Sequence, residues 1–134
     1  MNKLLCLICI VALLLTGCGG GKISGVQKVI GESDTFRPSE IEDAMEVALD
    51  YFRKEFNGCT MTEIAYNEEK SSNAADEWAQ QYGSEEGIVL YSSFDVDASG
   101  GDGSLNPNST YTKWQWVLTR DAGGEWVLRT WGYG

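Results

Sequence analysis

An acidic, glycine-rich segment holds the residues best suited to bind a metal ion. Asp95, Asp97 and Ser99 present oxygen atoms at alternate positions, a glycine stands at the sixth position, and Asp102 follows. The opening D-x-D-x-S-G matches loops that bind Ca²⁺ through alternate oxygen ligands and turn sharply at a glycine. The match ends at the twelfth position, where Asn106 replaces the glutamate that closes such loops.

Two interpretations of residues 95–102 follow from this pattern. In the first, Asp and Ser side chains hydrogen-bond to their own backbone while the glycines supply positive φ angles. In the second, a hard cation such as Ca²⁺ neutralises the carboxylates. Because the closing bidentate ligand is missing, we expect any Ca²⁺ binding to be weak, at the ~10⁻⁴ to 10⁻³ M typical of extracellular modules. We expect the fold itself to need no metal.

The residue types that usually carry catalysis are scarce. Histidine is absent from the whole sequence. This excludes Ser-His-Asp and Cys-His catalysis, because both need an imidazole as the base, and it excludes most transition-metal sites. Carboxylates and tyrosines remain, but no spacing singles out one of them. We therefore predict no catalytic residue and no cofactor, and binding or sensing as the function. The alternative is a small enzyme that uses a carboxylate in a pocket as acid or base.

The chain begins with the pattern of a secretory signal. Lys3 precedes an uninterrupted apolar run, Leu4–Leu15, and small residues follow at once. Secretory apolar segments have about 7 to 15 residues, whereas a membrane-spanning helix needs about 20. We therefore predict that residues 1–17 are a signal peptide that is removed.

The cleavage region resembles the lipobox of bacterial lipoproteins. Its residues are Leu15-Thr16-Gly17-Cys18, a small residue before a cysteine. The resemblance implies that Cys18 is diacylglycerated and anchors the mature protein on the extracytoplasmic side of the cell membrane, since two acyl chains give stable attachment. Cys6 and Cys9 leave with the signal. Cys59 then has no intramolecular partner, and we predict that it is a buried free thiol.

The charge of the chain limits its partners. The formal net charge is −10, and removal of Lys3 leaves 9 basic against 20 acidic residues, or −11. Such a surface repels phosphodiesters, so nucleic acid is excluded as a partner. We expect the membrane as a partner through the lipid, together with an unidentified protein or small-molecule ligand. We expect the folded domain to be monomeric.

The mature chain divides into a linker and one domain. Residues 18–35 are glycine-rich and lack aromatic residues, which is typical of a flexible tether with a span of about 20 to 25 Å. Residues 36–134 form a single α+β domain. Its predicted elements are a long helix over 38–56, a strand over 59–66, a short helix from Ser71 or Ser72 to Tyr82, and strands over 88–97, 110–120 and 125–133.

Large aromatic residues dominate the last two predicted strands. Trp114, Trp116 and Leu118 share one face of the first of these strands. On the second, Trp126 has the opposite parity to Trp131 and Tyr133. Both faces of the sheet would then carry large rings. This pattern indicates core packing, a curved sheet that encloses a cavity, or an exposed aromatic patch for a partner.

The order of the elements resembles the cystatin-like and NTF2-like superfold. The resemblance implies a long N-terminal helix on a curved, four-stranded antiparallel sheet. The segments FRKEFNGCTMTEIAY (52–66) and LYSSFDVDASGGDGSLNPNSTYTKWQW (90–116) are also similar to a family of small, uncharacterised exported domains from Gram-positive gut bacteria. That family implies a location and a fold but no activity.

Substitution of Cys18 tests the predicted lipid anchor. We expect Cys18→Ala to leave an uncleaved or mis-sorted precursor that carries no lipid, because the thiol is the acceptor of the diacylglyceryl group. Metabolic labelling with a fatty-acid analogue measures this, with Cys59→Ala as the matched control. Continued incorporation of label into the Cys18→Ala protein would contradict the prediction.

Overall fold

The computed structural model describes residues 20–133. The signal peptide predicted over 1–17 and the predicted lipidation site, Cys18, lie outside this range. In chain order, the elements are β1 (Gln27–Ile30), α1 (Pro38–Glu55), β2 (Cys59–Tyr66), α2 (Glu68–Gln81), β3 (Glu86–Val96), β4 (Thr110–Arg120) and β5 (Val127–Tyr133). Within the described range, no helix is both long and apolar enough to span a membrane.

The strands form one five-stranded mixed sheet in the order β1-β2-β3-β4-β5. β1 pairs with β2 in parallel, and the other neighbours are antiparallel. The prediction of a four-stranded, wholly antiparallel sheet of the cystatin-like or NTF2-like type is therefore wrong. The error arises at β1, which has only 4 residues and pairs with a strand that lies beyond α1. Such a short strand has no local periodicity that would distinguish it from a loop.

The segment before α1 lies against the rest of the domain from Gly20 onward. Gly21 N donates to Arg53 O at 2.9 Å, and Lys22 N donates to Cys59 O at 2.9 Å. β1 then continues alongside β2. Residues 20–30 belong to the stretch in which the sequence indicated a tether, and in the structure they are hydrogen-bonded to α1 and β2.

The long helix α1 forms because its apolar residues recur at steps of three and four. It begins at Pro38, where Glu40 accepts a hydrogen bond from Arg37 N at 3.2 Å. It ends before Gly58, which adopts a φ of +73°. One face of the helix is buried against the sheet, and the opposite face is exposed. The residues on the buried face are Ile41, Ala44, Met45, Ala48, Leu49 and Phe52.

A β-bulge in β5 gathers the large aromatic residues on the face of the sheet that meets α1. Trp131 lies opposite Trp116 and Leu128 lies opposite Leu118, so Arg129 is an extra residue between the two pairs. Directly opposed residues share a face, and the extra residue changes the parity of the strand. Within β4 and β5 the large rings therefore share one face, and the inference that these two strands place large rings on both faces is wrong, because it assumed a regular strand.

The second helix packs against the other face of β3. It begins at Glu68 with Asn67 as the N-cap, whose side chain accepts from Lys70 N at 3.0 Å. Neither Ser71 nor Ser72, the two predicted caps, begins the helix; Ser71 is instead buried one turn later, and its hydroxyl accepts a hydrogen bond from Val89 N at 3.0 Å. The helix comes so close that a Cβ on Gly87 would lie 2.5 Å from the Ala75 carbonyl oxygen.

One polar pair lies within the apolar core. The indole Nε1 of Trp116 donates to Ser92 Oγ at 2.8 Å, and both residues are buried. A buried donor without an acceptor costs more than an ordinary hydrogen bond contributes. Ser92 therefore holds the largest fully buried side chain in place.

Removal of the Ser92 hydroxyl tests this role. We expect Ser92→Ala to lower the free energy of unfolding by about 1 to 3 kcal/mol, because the buried Trp116 indole loses its acceptor. Urea unfolding measures the change. Ser93→Ala is the matched control, since strand alternation places this side chain on the opposite face, and we expect a change within about 0.5 kcal/mol. Equal effects of the two substitutions would contradict the assignment.

Candidate binding groove

A groove of about 370 Å³ opens at one end of the molecule. Its walls are the end of α1, the loop between β3 and β4, and residues of β4 and β5. Four aromatic residues line it: Tyr51, Phe56, Trp114 and Trp131. Its volume lies in the range of about 300 to 1,000 Å³ that is usual for small-molecule sites.

The rings of the groove support one another. The centroids of Tyr51 and Trp131 are 4.4 Å apart, and those of Phe56 and Trp114 are 6.1 Å apart. Trp131 also stacks on the buried Trp116, with centroids 6.3 Å apart. Edge and tilted contacts of this kind add to the stability that burial provides. The side chains therefore form a preorganised aromatic surface.

The aromatic surface continues past the groove onto the edge of the sheet. Tyr133 lies 5.6 Å from Trp114 and 5.2 Å from Tyr111, measured between ring centroids. Tyr133 is 62% exposed and Trp131 is 38% exposed. Both residues belong to β5, the last strand of the sheet, so solvent reaches them from the side. We name these two residues the aromatic edge.

The indole nitrogen of Trp114 is a buried donor that finds no acceptor among the described residues. Instead, rings surround the Trp114 side chain, with Phe94 at 5.2 Å and Tyr111 at 5.5 Å between centroids. Leaving a buried donor unpaired costs about 1 to 3 kcal/mol. Native proteins keep few such groups, and this one belongs to a residue that lines the groove.

Polar groups stand at the rim of the groove. Glu55, Asn57 and Ser104 line it beside the rings. The Asn57 amide nitrogen donates to Asp102 Oδ2 at 3.0 Å, while Glu55 is exposed. Asn57 is held by structural hydrogen bonds, so the exposed carboxylate and the hydroxyl beside the rings are the polar groups that could orient a small polar ligand.

The acidic segment predicted from the sequence forms part of this wall, and its carboxylates have separate partners. Asp95 Oδ1 accepts from Thr110 Oγ1 at 2.6 Å. Asp97 Oδ1 accepts from Ser99 N at 2.9 Å and from Ser99 Oγ, and these hydrogen bonds lower the pKa of Asp97. Asp102 is bonded to Asn57. Within residues 20–133, no group of three or more Asp, Glu, His or Cys side chains is placed to hold a metal ion.

The backbone of this loop is shaped by residues with positive φ. Gly100 has a φ of +70° and its carbonyl oxygen accepts from Leu105 N at 2.9 Å, while Asp97 O accepts from Asn108 N at 2.9 Å. Asp102, which is not a glycine, also has a positive φ of 65°. The loop thus closes on itself and presents Ser104 and Leu105 to the groove.

Two groups near the groove, the Cys59 thiol and the Tyr51 phenol, stay protonated at neutral pH. Burial, with further contributions from the charges of Asp97 and Asp102, raises the pKa of the Cys59 thiol to about 11. Cys59 is a free thiol and only 1% exposed, which confirms the sequence prediction. Burial, followed by the charge of Glu55, also raises the pKa of Tyr51. Neither group is therefore a nucleophile or a base at neutral pH.

The most buried charged residue lies at the other end of α1. Arg120 is paired with Glu40 and, at 3.2 Å, with Glu86. Hydrogen bonds from Arg120 and then from Arg37 lower the pKa of Glu40 to about 2. The guanidinium also lies over the Trp126 ring, 4.2 Å from its centroid. This cluster joins β4 to α1. The Glu40 carboxylate stays ionised at neutral pH, which suits a structural role.

Comparison of the chain with protein-family models, curated proteins and solved structures finds no match. The similarity to uncharacterised exported domains therefore stays a prediction.

A calcium titration tests the acidic loop. We expect the melting temperature of the mature domain to be nearly the same in EDTA and in Ca²⁺, because each carboxylate already has its own hydrogen-bond donor. The tightest binding expected for this loop, a Kd of ~10⁻⁴ M, sets an upper bound, because about 1 mM Ca²⁺ would then add about 1.4 kcal/mol to the free energy of unfolding. Mg²⁺ at the same concentration controls for ionic strength. A rise that exceeds this bound, and that Asp97→Asn removes, would show a real calcium site.

Proposed function

We propose that this chain is a lipid-anchored extracytoplasmic protein whose domain binds a saccharide, without catalysis, in the groove between α1, β4 and β5. The observation that carries the proposal is the composition of the groove. Four aromatic rings line it beside a carboxylate and a hydroxyl.

A sugar ring fits this composition on chemical grounds. Its C–H faces are apolar and pack on aromatic rings, while its hydroxyl groups donate to carboxylates and exchange hydrogen bonds with amides. The partly exposed indole of Trp131 supplies a stacking surface, and Glu55 supplies an acceptor. The ligand class also agrees with the charge of the protein, since a neutral saccharide is not repelled by an acidic surface.

Binding is favoured over catalysis by the state of the groups near the groove. Glu55, the carboxylate that lines the groove, is exposed to solvent and is not enclosed in a pocket. Cys59 and Tyr51 are held in their protonated forms. The interior between α1 and the sheet is filled by packed apolar side chains. Acid-base catalysis at neutral pH needs a group that exchanges protons in that range, and neither the Cys59 thiol nor the Tyr51 phenol does so.

Substitution of Trp131 tests the saccharide site. We expect Trp131→Ala to weaken binding about tenfold, which corresponds to ~1.4 kcal/mol for loss of the stacking surface. Tryptophan fluorescence or calorimetry with a panel of mono- and oligosaccharides measures the affinity. Trp78→Ala is the matched control, because Trp78 lies on α2 and stacks on Tyr82 away from the groove, and we expect it to keep the wild-type affinity.

Two results would contradict the ligand class. One is the absence of binding to every saccharide by a folded, wild-type domain. The other is binding of a quaternary ammonium ion, such as tetramethylammonium, in place of sugars. That result would identify the rings and Glu55 as a cation-binding cage.

A further inference from the structure

We propose that the domain lies directly on the bilayer, with the groove end facing the lipid headgroups and the aromatic edge, Trp131 and Tyr133, in the interfacial layer. The inference rests on the lipid anchor of the proposed function. It adds a fixed orientation, because Gly20, two residues after Cys18, is bonded to the end of α1.

Gly20 and Gly21 are attached to the end of α1. Gly20 N donates to Asn57 Oδ1 and Gly21 N donates to Arg53 O at 2.9 Å, so both residues are bonded to the end of α1. The fit is close: a Cβ on Gly20 would lie 1.9 Å from Arg53 O, and a Cβ on Gly21 would lie 2.7 Å from the Phe52 ring. The start of the described chain is therefore held against the helix.

The chain between Cys18 and this attachment is very short. A single residue, Gly19, separates Cys18 from Gly20. Consecutive Cα atoms are about 3.8 Å apart, so the Cα of Cys18 lies within about 8 Å of the Cα of Gly20. Acyl chains on Cys18 then bring the end of α1 to the bilayer surface. A flexible tether over residues 18–35 would instead allow the domain to lie farther from the bilayer.

The groove lies at the same end of α1 as this attachment. Asn57, which holds Gly20, also lines the groove together with Trp131. Trp131 and Tyr133 are among the few large apolar residues that remain exposed in the described range. Tryptophan and tyrosine favour the membrane interface, because one part of each side chain is apolar and the other can hydrogen-bond to water or headgroups.

The charges at this end permit the contact. Lys22 and the last-turn residues Arg53 and Lys54 lie around the attachment point. They offset nearby carboxylates, among them Asp50, which pairs with both last-turn residues, and Asp97, whose pKa Lys22 helps to lower. Glu55 and Asp102 also lie at this end, so the three cations offset part of its negative charge and reduce the repulsion from anionic headgroups.

Fluorescence quenching by lipids tests the orientation. The full chain is lipidated in cells and reconstituted into phosphatidylcholine and phosphatidylglycerol vesicles whose acyl chains carry bromine close to the headgroups. We expect quenching of tryptophan fluorescence that is lost in Trp131→Phe, because that indole is the one at the interface. We also expect a twelve-residue Gly/Ser insertion between Gly19 and Gly20 to reduce quenching. The same insertion between Gly123 and Gly124, in the exposed turn before β5, leaves it unchanged.

The outcomes separate this inference from the proposed function. Mass spectrometry of the purified protein shows whether Cys18 carries lipid, and an unlipidated Cys18 overturns the anchor and the orientation together. Lipidated protein without quenching, or with equal quenching in both insertion variants, overturns the orientation alone. Saccharide binding by the soluble domain is measured separately and depends on neither result.

Discussion

Aromatic packing around Phe52 and Phe56, at the end of α1, is the interaction on which the rest of the structure depends. Phe52 lies 5.5 Å from Phe94, and Phe56 lies 5.4 Å from Trp116, between ring centroids. These contacts join the helix to β3 and β4, and the core can close only where they form. Gly21 packs against the other side of Phe52. One cluster therefore fixes the helix, the sheet and the start of the described chain, and the rings just outside it form the groove.

Much of the fold follows from local patterns in the sequence. The apolar steps of three and four located α1, and the bounds expected for β2 and β4 are those observed. The strand β1 could not be predicted in this way, because its stability comes from pairing with a distant strand and its own side chains are mostly exposed. The bulge at Arg129 was missed for a related reason. Nothing in the residues of β5 marks the extra position, and the pairing with β4 defines it.

The site was harder to predict than the fold. The residue types of the acidic loop match a calcium motif and suggested a weak cation site. In the structure, however, Asp97 and Asp102 hold the loop and Asn57 in place. The groove depends on Tyr51 and Phe56, which belong to α1 and to its C-cap and which the sequence marked only as helical residues. Trp114 and Trp131 were visible as an aromatic pattern. Their shared face was not, because it depends on the bulge.

If Cys18 carries the proposed lipid anchor, the groove would meet ligands that are presented at the membrane surface, and stacking on preformed rings requires little conformational change. The most direct test of saccharide binding observes the five indole N–H signals in a ¹H–¹⁵N NMR spectrum of the mature domain during a saccharide titration. The account predicts that the signals of Trp114 and Trp131 shift together, while those of Trp78 and Trp126, which lie away from the groove, stay in place. Shifts confined to Trp78 or Trp126, or no shift with any saccharide, would contradict it.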